Sequence, residues 1–397
     1  MIEVFYACYT VTMEQVEFDF DVKSTYTLYA QPEKNGFFGL RQLQRFSSNI
    51  VEPYLRAQAQ ETLIFDFSLI KVWDIAAILW LVVSLHHYKK TGLSFLIRLP
   101  EGKLAQKSED EILFDKSADI LRRWKLNDAL SNIVSDPTSI LVPEQQNYFP
   151  LDGPIKYYKE RKVTLGNGLV ESLISRRLLN IRNLSDPKFF GSEIISSKNI
   201  TECVADFQSA KIGDILSTQC DISKRDADLF SDHLLTEALL NVLEHTEASL
   251  GMMAISVMGA SKELILSVVD NGSSIPSTIY SEYYRGKMQY EELKSEKYSR
   301  YDLSCNNKID IIDYATQPGV TRKKGEEALH GGMGLSYIKK DTIDTFNGKL
   351  LVISDGVVVR YDKNFIDRPY GESYDHSWSG NLIRISIPLI EKKNIKD

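Results

Sequence analysis

Three polar side chains recur at four-residue intervals within residues 234–250. They are Glu237, Asn241 and His245, and this spacing keeps side chains on one face of an α-helix. A carboxylate, a carboxamide and an imidazole in one stripe beside an apolar face are costly to bury unless something pairs with them. Leucines around the three residues predict an amphipathic helix with a buried apolar face. A solvated face with an accidental spacing is the alternative for this stretch taken alone.

Two glycine-containing motifs follow further along the chain. Asp270 ends a hydrophobic run, and Gly272 follows it in a turn. Gly332 and Gly334 lead directly into an amphipathic segment that begins at Leu335. Backbone amides that glycine exposes at a helix N-terminus can hold an anion. By itself a glycine-rich segment also fits a flexible loop, so the order of all three motifs is the more specific signal.

The three motifs, in this order, resemble the GHKL superfamily of ATPases with the Bergerat fold. That superfamily includes gyrase B subunits, MutL proteins, sensor histidine kinases and anti-sigma serine kinases. The segment from Glu237 to His245 is most similar to the anti-sigma kinases, and the strand-like segment after Gly380 resembles the family's final strand. The resemblance covers residues 226–390 and implies an α/β sandwich that binds ATP and Mg²⁺.

The resemblance implies a role for each matching residue. Asn241 would bind Mg²⁺ through its carbonyl oxygen, and Glu237 would orient or deprotonate the attacking water or hydroxyl. Asp270 would accept a hydrogen bond from the adenine amino group, and Gly272 would let the backbone approach the base.

The same resemblance implies the residues that surround the phosphates. Gly332 and Gly334 would wrap the phosphates, in a matching segment that ends at Leu335. His245 would either line the site or simply end the helix.

The long stretch between the two glycine motifs corresponds to the ATP lid of the family, residues 276–330. Near its end, Thr321, Arg322 and Lys323 could reach a γ-phosphate, because basic side chains suit that charge. We expect most of the remaining lid residues to form solvated loop and charged helix.

Three positions depart from the family pattern. Ser274 and His330 stand where the family has glycine, and Asn381 stands where a threonine is often found. These departures bear on the rate of catalysis more than on nucleotide binding.

Strand-like and helix-like stretches alternate within residues 25–135 and predict an α/β layer domain. The strand-like stretches are STYTLYA, TLIFDFS and LSFLIRL, and the helix-like ones are GLRQLQRFSSNIVEPYL, WDIAAILWLVVSLHHYKK and SADILRRWKLNDAL. The region resembles a STAS domain, the anti-anti-sigma fold, with a generic α/β domain as the alternative. Where STAS domains carry a phosphorylatable serine, this chain has Asp74-Ile75-Ala76-Ala77, which offers no hydroxyl.

The sequence therefore predicts an α/β protein in three parts. Residues 1–135 form the STAS-like domain, residues 136–225 a connector, and residues 226–397 the ATP-binding domain. The connector is expected to contain helices at ESLISRRLLNIRNL and ITECVADFQSAKIGDIL. The last part is expected to be a mixed or antiparallel sheet covered by helices on one face. Its strands are MMAISVMG, ELILSVVD, the hairpin KLLVISDGVVVRY and NLIRISIPL, and LSYIKKDTIDTF is a helix.

Bulk composition narrows the class of protein. The chain has 397 residues, 43% hydrophobic and 25% charged, which is typical of globular proteins. The net charge of -7 argues against a dedicated nucleic-acid binder. The four cysteines show no metal-binding spacing and fit a reducing cytoplasm. We expect no signal peptide at the N-terminus. We also expect no membrane span, because the apolar run at 76–85 is too short to cross a bilayer and fits a buried helix.

The leading functional hypothesis is a cytoplasmic ATP-driven regulatory switch that Glu237 resets by slow hydrolysis. One alternative is a serine protein kinase of the anti-sigma type, and another is a non-catalytic nucleotide-binding interaction module. A histidine autokinase is disfavoured because His86 and His87 do not match an acceptor motif. We expect a protein partner, which the sequence does not identify. Homodimerisation would fit the family resemblance, although no heptad pattern demands it.

Overall fold

The structure is a computed structural model. In it, the described part of the chain consists of residues 25–30, 32, 37–51, 62–70, 72–90, 92–98, 105–108, 111–113, 140–141, 162–165, 169–172, 177–183, 213, 216–217, 222–242, 248, 250–258, 263–284, 307–320, 334–365, 369–374 and 380–389.

Strands and helices alternate along this part of the chain. The strands are β1 (Thr25–Tyr29), β2 (Phe37–Phe38), β3 (Thr62–Asp66), β4 (Val72–Trp73), β5 (Phe95–Arg98), β6 (Ala105–Ser108), β7 (Glu111–Leu113), β8 (Ile140–Leu141), β9 (Lys162–Leu165), β10 (Leu169–Ser172), β11 (Arg177–Asn183), β12 (Gly251–Met258), β13 (Glu263–Asp270), β14 (Lys349–Ser354), β15 (Val357–Tyr361), β16 (Tyr370–Ser373) and β17 (Asn381–Pro388). The helices are α1 (Leu40–Phe46, continued as a π-helix over Ser47–Val51), α2 (Ile75–Lys90), α3 (Lys224–Leu229, a π-helical Phe230–Leu235, then Thr236–Leu240), α4 (Ile275–Tyr284), α5 (Lys308–Ala315) and α6 (Gly334–Lys340, continued as a π-helix over Asp341–Thr345).

The N-terminal part of the chain contains a parallel sheet of four strands in the order β1-β3-β5-β8. Its core is aromatic: the ring of Phe65 lies 5.5 Å from that of Phe95 and 6.1 Å from that of Tyr88 on α2. Parallel strands joined by helices are the arrangement that the alternating sequence pattern predicts. The expected strands β1, β3 and β5 and the expected helices α1 and α2 are confirmed. The helix predicted over residues 117–130 lies outside the described residues.

The C-terminal part contains a second sheet of seven strands in the order β11-β12-β13-β17-β14-β15-β16. Every described pairing in it is antiparallel, so of the two expected arrangements, mixed and antiparallel, the antiparallel one is present. Short links join β12 to β13, β14 to β15 and β15 to β16, and a short link between paired strands permits only antiparallel pairing. The described residues thus have an α/β fold with a four-stranded parallel sheet and a seven-stranded antiparallel sheet, besides the two-stranded sheets β2-β4, β6-β7 and β9-β10.

Both faces of the antiparallel sheet are covered, which corrects the expectation of helices on one face. Leu264, Leu266 and Val268 of β13 pack in a core with α3 and α6. Ile265 and Val269, on the opposite face, belong to the same core as α2. Seven consecutive buried positions in β13 reflect this arrangement, since a strand with one solvated face would alternate.

Helix α2 is therefore shared between the two sheets. It is buried on nearly all sides, with residues from Ile75 to Leu85 inaccessible. A helix that is apolar all round is one that is buried all round, so the predicted buried helix at 76–85 is confirmed. None of the described helices has the length and the hydropathy that crossing a membrane requires.

The region predicted as a connector contributes strands to both sheets. β8 pairs with β5 of the parallel sheet, and β11 pairs with β12 of the antiparallel sheet. The helix expected over residues 171–184 is wrong, because β11 occupies residues 177–183. A short apolar run does not distinguish a helix from a strand, and here pairing with β12 decides. Most of the other helix expected in this region, residues 200–216, lies outside the described residues.

Candidate functional site

Helix α3 carries the first of the expected site residues. Its last segment, Thr236–Leu240, follows the π-helical turn, and the backbone N–H of Asn241 donates to the carbonyl of Glu237. Glu237 and Asn241 therefore lie one turn apart on one face, as the spacing predicts. Both side chains are half-buried, whereas Ala238 and Leu239 on the other side of the helix are inaccessible.

The first residue of α6 lies directly against these two side chains. A Cβ placed on Gly334 would lie 3.0 Å from Oε2 of Glu237 and 3.3 Å from Oδ1 of Asn241. Glycine at this position lets the backbone at the start of α6 come close to a carboxylate and a carboxamide. The structure thus brings together two motifs that are far apart in the sequence.

The amide of Asn241 has a defined orientation. Its Nδ2 donates to the backbone carbonyl of Glu237 at 2.8 Å, and its Oδ1 and Nδ2 lie 3.3 and 3.4 Å from the Cβ position at Gly334. A carboxamide oxygen beside a carboxylate oxygen is a donor set that fits Mg²⁺, which prefers hard oxygen ligands and keeps several waters. Among the described residues, no three His, Cys, Asp or Glu side chains form a group that could hold a metal ion by themselves.

Asp270 forms the second part of the candidate site, at the end of β13. Its side chain is 3% exposed. Its Oδ1 accepts a hydrogen bond from the backbone N–H of Gly272 at 2.8 Å, and Nδ2 of Asn381 donates to Oδ1 at 3.1 Å and Oδ2 at 3.3 Å. Burial raises the pKa of Asp270 to about 7, and the hydrogen bonds from Gly272 and Asn381 oppose this rise.

A buried polar row extends from Asp270 across the sheet. Asn381 of β17 is the cross-strand partner of Asp270, and Ser354 of β14 is the next partner along. Oδ1 of Asn381 accepts hydrogen bonds from Oγ of Ser354 at 2.6 Å and from the backbone N–H of Ile275 at 3.1 Å. The row therefore holds both the carboxylate of Asp270 and the start of α4.

Sequence reasoning missed the contribution of this row. Asn381 was treated only as a departure from the family pattern, and Ser354 was not singled out. The sequence contains only part of the signal for this row, since Asn381 and Ser354 are each a polar residue at one end of a hydrophobic strand. Their contact depends on cross-strand register, which pairs residues far apart in the chain.

Ser274, the second departure from the family pattern, caps helix α4. Its Oγ accepts a hydrogen bond from the backbone N–H of Ser277 at 3.1 Å, and the side chain is 1% exposed. A serine N-cap satisfies a backbone donor that would otherwise be unpaired at the helix start. Ser274 thus fixes the first residues of the expected lid.

The described lid residues are packed. Helices α4 and α5 share a small apolar cluster that includes Ile279, Ile311 and Tyr314. Nζ of Lys339 on α6 lies 3.1 Å from Oδ1 of Asp313 on α5 and also donates to Oγ1 of Thr316 at 3.2 Å. Helix α5 is therefore tied to the helix that begins at Gly334.

Two partly buried residues link the two ends of the candidate site. Ile275 of α4 and Leu335 of α6 each pack against both the small lid cluster and the core beneath α3. Ile275 also donates its backbone N–H to the polar row beside Asp270. The elements that carry Asp270 and Gly334 thus meet in one packed region.

Six expected site residues have described positions: Glu237, Asn241, Asp270, Gly272, Gly334 and Leu335. The other five lie outside the described residues: His245, Thr321, Arg322, Lys323 and Gly332. No family model matches the chain, and no curated protein matches its sequence.

Proposed function

We propose that this chain is a cytoplasmic, Mg²⁺-dependent ATP-binding switch of the GHKL type that hydrolyses ATP slowly. One observation carries the proposal: the start of α6 at Gly334 lies against Glu237 and Asn241 on α3. A polyphosphate needs backbone donors, a metal ion and a carboxylate at one place, and these elements supply that combination.

The adenine amino group is proposed to donate to the carboxylate of Asp270. This carboxylate is already held by Gly272 and Asn381, so little reorganisation is needed when the base binds. Gly272 is itself buried at the turn, which suits a close approach of the base to the backbone.

The phosphates are proposed to lie at the start of α6. Oδ1 of Asn241 would be the protein ligand of Mg²⁺, which neutralises phosphate charge when it is bound. Glu237 would hold the attacking water and accept its proton, because Oε2 of its carboxylate lies 3.0 Å from the Cβ position at Gly334, at the start of α6.

The switch is proposed to act through elements attached to this site. The Lys339–Asp313 pair connects α6 to the lid helix α5, so a change at the phosphates has a direct route into the lid. In the proposed STAS-like unit, Ala76 and Ala77 are fully buried at the start of α2. That unit would therefore act through the packing of α2 and not through a phosphorylated side chain.

The proposal is tested by incubating γ-labelled ATP and Mg²⁺ with wild-type protein, Glu237→Gln, Asn241→Ala and the control Asp232→Asn. Binding, phosphate release and labelled protein are followed together. Asp232 is an exposed acid on the same helix, so its substitution should change nothing. We expect Glu237→Gln to bind ATP but to release phosphate about 100-fold or more slowly, as for loss of a general base. Asn241→Ala should lose the Mg²⁺ dependence of binding.

Each other outcome has a clear meaning. Undiminished phosphate release by Glu237→Gln would remove Glu237 from the mechanism. Label on the protein or on an added STAS protein would identify a kinase instead of an ATPase. Failure of the wild type to bind ATP with Mg²⁺ would overturn the proposed function as a whole.

A further inference from the structure

The turn that follows β13 directs consecutive side chains to opposite faces of the sheet. Val268 packs in the core beneath α3, and Val269 packs in the core that includes α2. Side chains alternate between the two faces of a sheet along a strand. Asp270 is therefore expected on the same face as Val268, and Asn271 on the same face as Val269. Asn271 accordingly contacts α2, through an interaction between its Nδ2 and Nδ1 of His86 at 3.2 Å.

The donor and acceptor in this contact follow from a second hydrogen bond. The backbone N–H of Leu250 donates to Oδ1 of Asn271 at 2.8 Å, and a backbone N–H can only donate. Oδ1 therefore faces Leu250, and Nδ2 is the atom that faces His86. Nδ1 of His86 must then accept, which requires a neutral imidazole with its proton on Nε2.

The surroundings of His86 favour this neutral form. Burial, followed by the charges of Lys90 and Lys89 and the neighbouring His87, lowers the pKa of His86 to about 4. The imidazole is thus an acceptor at neutral pH, when the Asn271 amide needs one.

Helix α2 is held against the sheet at its other end as well. Asp74 caps α2 by accepting from the backbone N–H of Ala76 at 3.0 Å, and it forms an ion pair with Arg384 of β17. Arg384 lies three residues beyond Asn381, the partner of Asp270. The position of α2 is therefore defined by β17 and by the turn after β13, and β13 and β17 are two of the three strands that carry the polar row.

We infer that His86 is a positioning residue for the base-binding end of the site. By holding Asn271, it fixes the backbone between Asp270 and Gly272, so the docking of α2 sets the nucleotide affinity of the C-terminal part. This inference rests on the proposed function and names the N-terminal part as the regulator of that site. By linkage, nucleotide must also strengthen the docking of α2 to the same degree.

Three substitutions test the inference in the full-length chain, with ADP as the probe. His86→Ala removes the acceptor. His86→Asn restores it, because the Asn Oδ1 occupies nearly the position of the His Nδ1. His87→Ala removes the adjacent histidine, whose ring lies against Tyr88, and serves as the control. ADP affinity is measured by calorimetry, ATP hydrolysis by steady-state kinetics, and the protection of α2 by hydrogen exchange with and without ADP.

We expect His86→Ala to weaken ADP binding about five- to tenfold, the usual effect of one lost hydrogen bond. KM for ATP should rise with kcat unchanged, because a base contact is the same in the ground state and the transition state. His86→Asn and His87→Ala should bind as the wild type does. ADP should slow hydrogen exchange in α2 of the wild type and do so less in His86→Ala.

Two results would overturn this inference and leave the proposed function standing. One is wild-type affinity in His86→Ala. The other is equal loss of affinity in His86→Ala and His86→Asn, which would indicate a general structural role. If the wild type fails to bind ADP, the proposed function and this inference are overturned together.

Discussion

Asp270 is the residue whose surroundings bear most directly on the proposed recognition of the base. A carboxylate accepts a hydrogen bond from an amino group only through a free lone pair, and ionisation provides more of these. Burial works against ionisation, and the donors Gly272 and Asn381 work in its favour. The balance places the pKa of Asp270 at about 7, close to the pH at which the protein would work.

Nucleotide affinity should therefore depend on pH. Binding selects the ionised form of Asp270, so below its pKa of about 7 a proton must leave for each nucleotide bound. We expect ADP affinity to fall about tenfold per pH unit below pH 7 and to level off above it. Calorimetric titrations at several pH values measure this, and Asp270→Asn should bind weakly with no such slope. A flat profile in the wild type would contradict the assigned role.

The ionisation of Asp270 should also affect the stability of the unliganded protein. This stability should fall as the pH rises, whereas nucleotide affinity should rise. The folded pKa of about 7 is above the ordinary value of 3.8, so the stabilising contribution of Asp270 is complete below about pH 3.8. It is lost as the pH rises through 7. Asp270→Asn should accordingly be more stable than the wild type at pH 8, by a few kcal/mol at about 1.4 kcal/mol per pKa unit. Urea denaturation at pH 5 and pH 8 tests this, and an equal difference at both pH values would contradict it.

Gly334 matters because of the side chain that it lacks. An added methyl group would lie 3.0 Å from Oε2 of Glu237, which is closer than carbon and oxygen normally approach. We expect Gly334→Ala to move Glu237 and slow phosphate release about tenfold or more, since small misplacements are costly in catalysis. Circular dichroism should show a normal fold. Tyr337→Ala, an exposed residue on the same helix, is the control, and equal rates in all three proteins would exclude the proposed placement.

At the scale of elements, three helices converge on the candidate site and are held by different means. α3 supplies Glu237 and Asn241 from a face that follows a π-helical turn. α4 starts at the polar row through the cap at Ser274. α6 begins at Gly334 and is tied to α5 by Lys339, whose ammonium also lies 4.3 Å from the centre of the Tyr361 ring.

The Lys339–Asp313 pair should be a strong contact between these helices. Their side chains are only 12% and 5% exposed, so Lys339→Ala would leave a buried carboxylate without this ammonium. Breaking such a pair from one side costs roughly 3 kcal/mol. Urea denaturation should show this loss, together with faster hydrogen exchange in α5. The adjacent exposed Lys340→Ala is the matched control, and equal losses in the two variants would show that the buried pair is not special.

At the scale of the whole molecule, α2 connects the parallel and antiparallel sheets. Residues of α2, of β3 and of β13 belong to one continuous apolar core. Polar contacts at the rim of this core join the two parts: Asp74 with Arg384, His86 with Asn271, and Arg41 with Glu372 at 2.9 Å. A change in one part therefore reaches the other through packing and through specific hydrogen bonds.

A double-mutant cycle on Asp74 and Arg384 should detect this connection. Asp74→Asn keeps an oxygen that can cap α2 but removes the charge, and Arg384→Ala removes the partner. We expect a coupling energy of about 1–3 kcal/mol in urea denaturation, because both side chains are largely buried. The control cycle uses Lys349 and Glu263, a pair on the same sheet whose lysine is 67% exposed, and should give under about 1 kcal/mol. Equal coupling in the two cycles would count against a specific role for the Asp74 contact.

Most of the regular elements could be predicted from local pattern. β13 is present at the predicted residues 263–270, and α2 begins two residues after the start of its predicted stretch. The prediction failed at residues 171–184, where the apolar residues fit a helix or a strand equally well and pairing with β12 decided. It also failed for the second face of the antiparallel sheet, although the continuous apolar run in β13 was a signal of burial on both sides.

The sequence by itself determined which residues the proposed site uses. Spacing along one helix placed Glu237 and Asn241 together, because helical periodicity is a local property of the chain. Chain order and residue type likewise identified Asp270 at a strand end and Gly334 at a helix start.

Only the tertiary structure decided what these residues touch. The approach of Gly334 to Glu237, the support of Asp270 by Asn381 and the contact of His86 with Asn271 all join residues far apart in the chain. Such contacts depend on strand register and on which faces of the elements pack together. Neither is encoded in a local pattern, because each is a compromise among many packing interactions that form only when the whole chain folds.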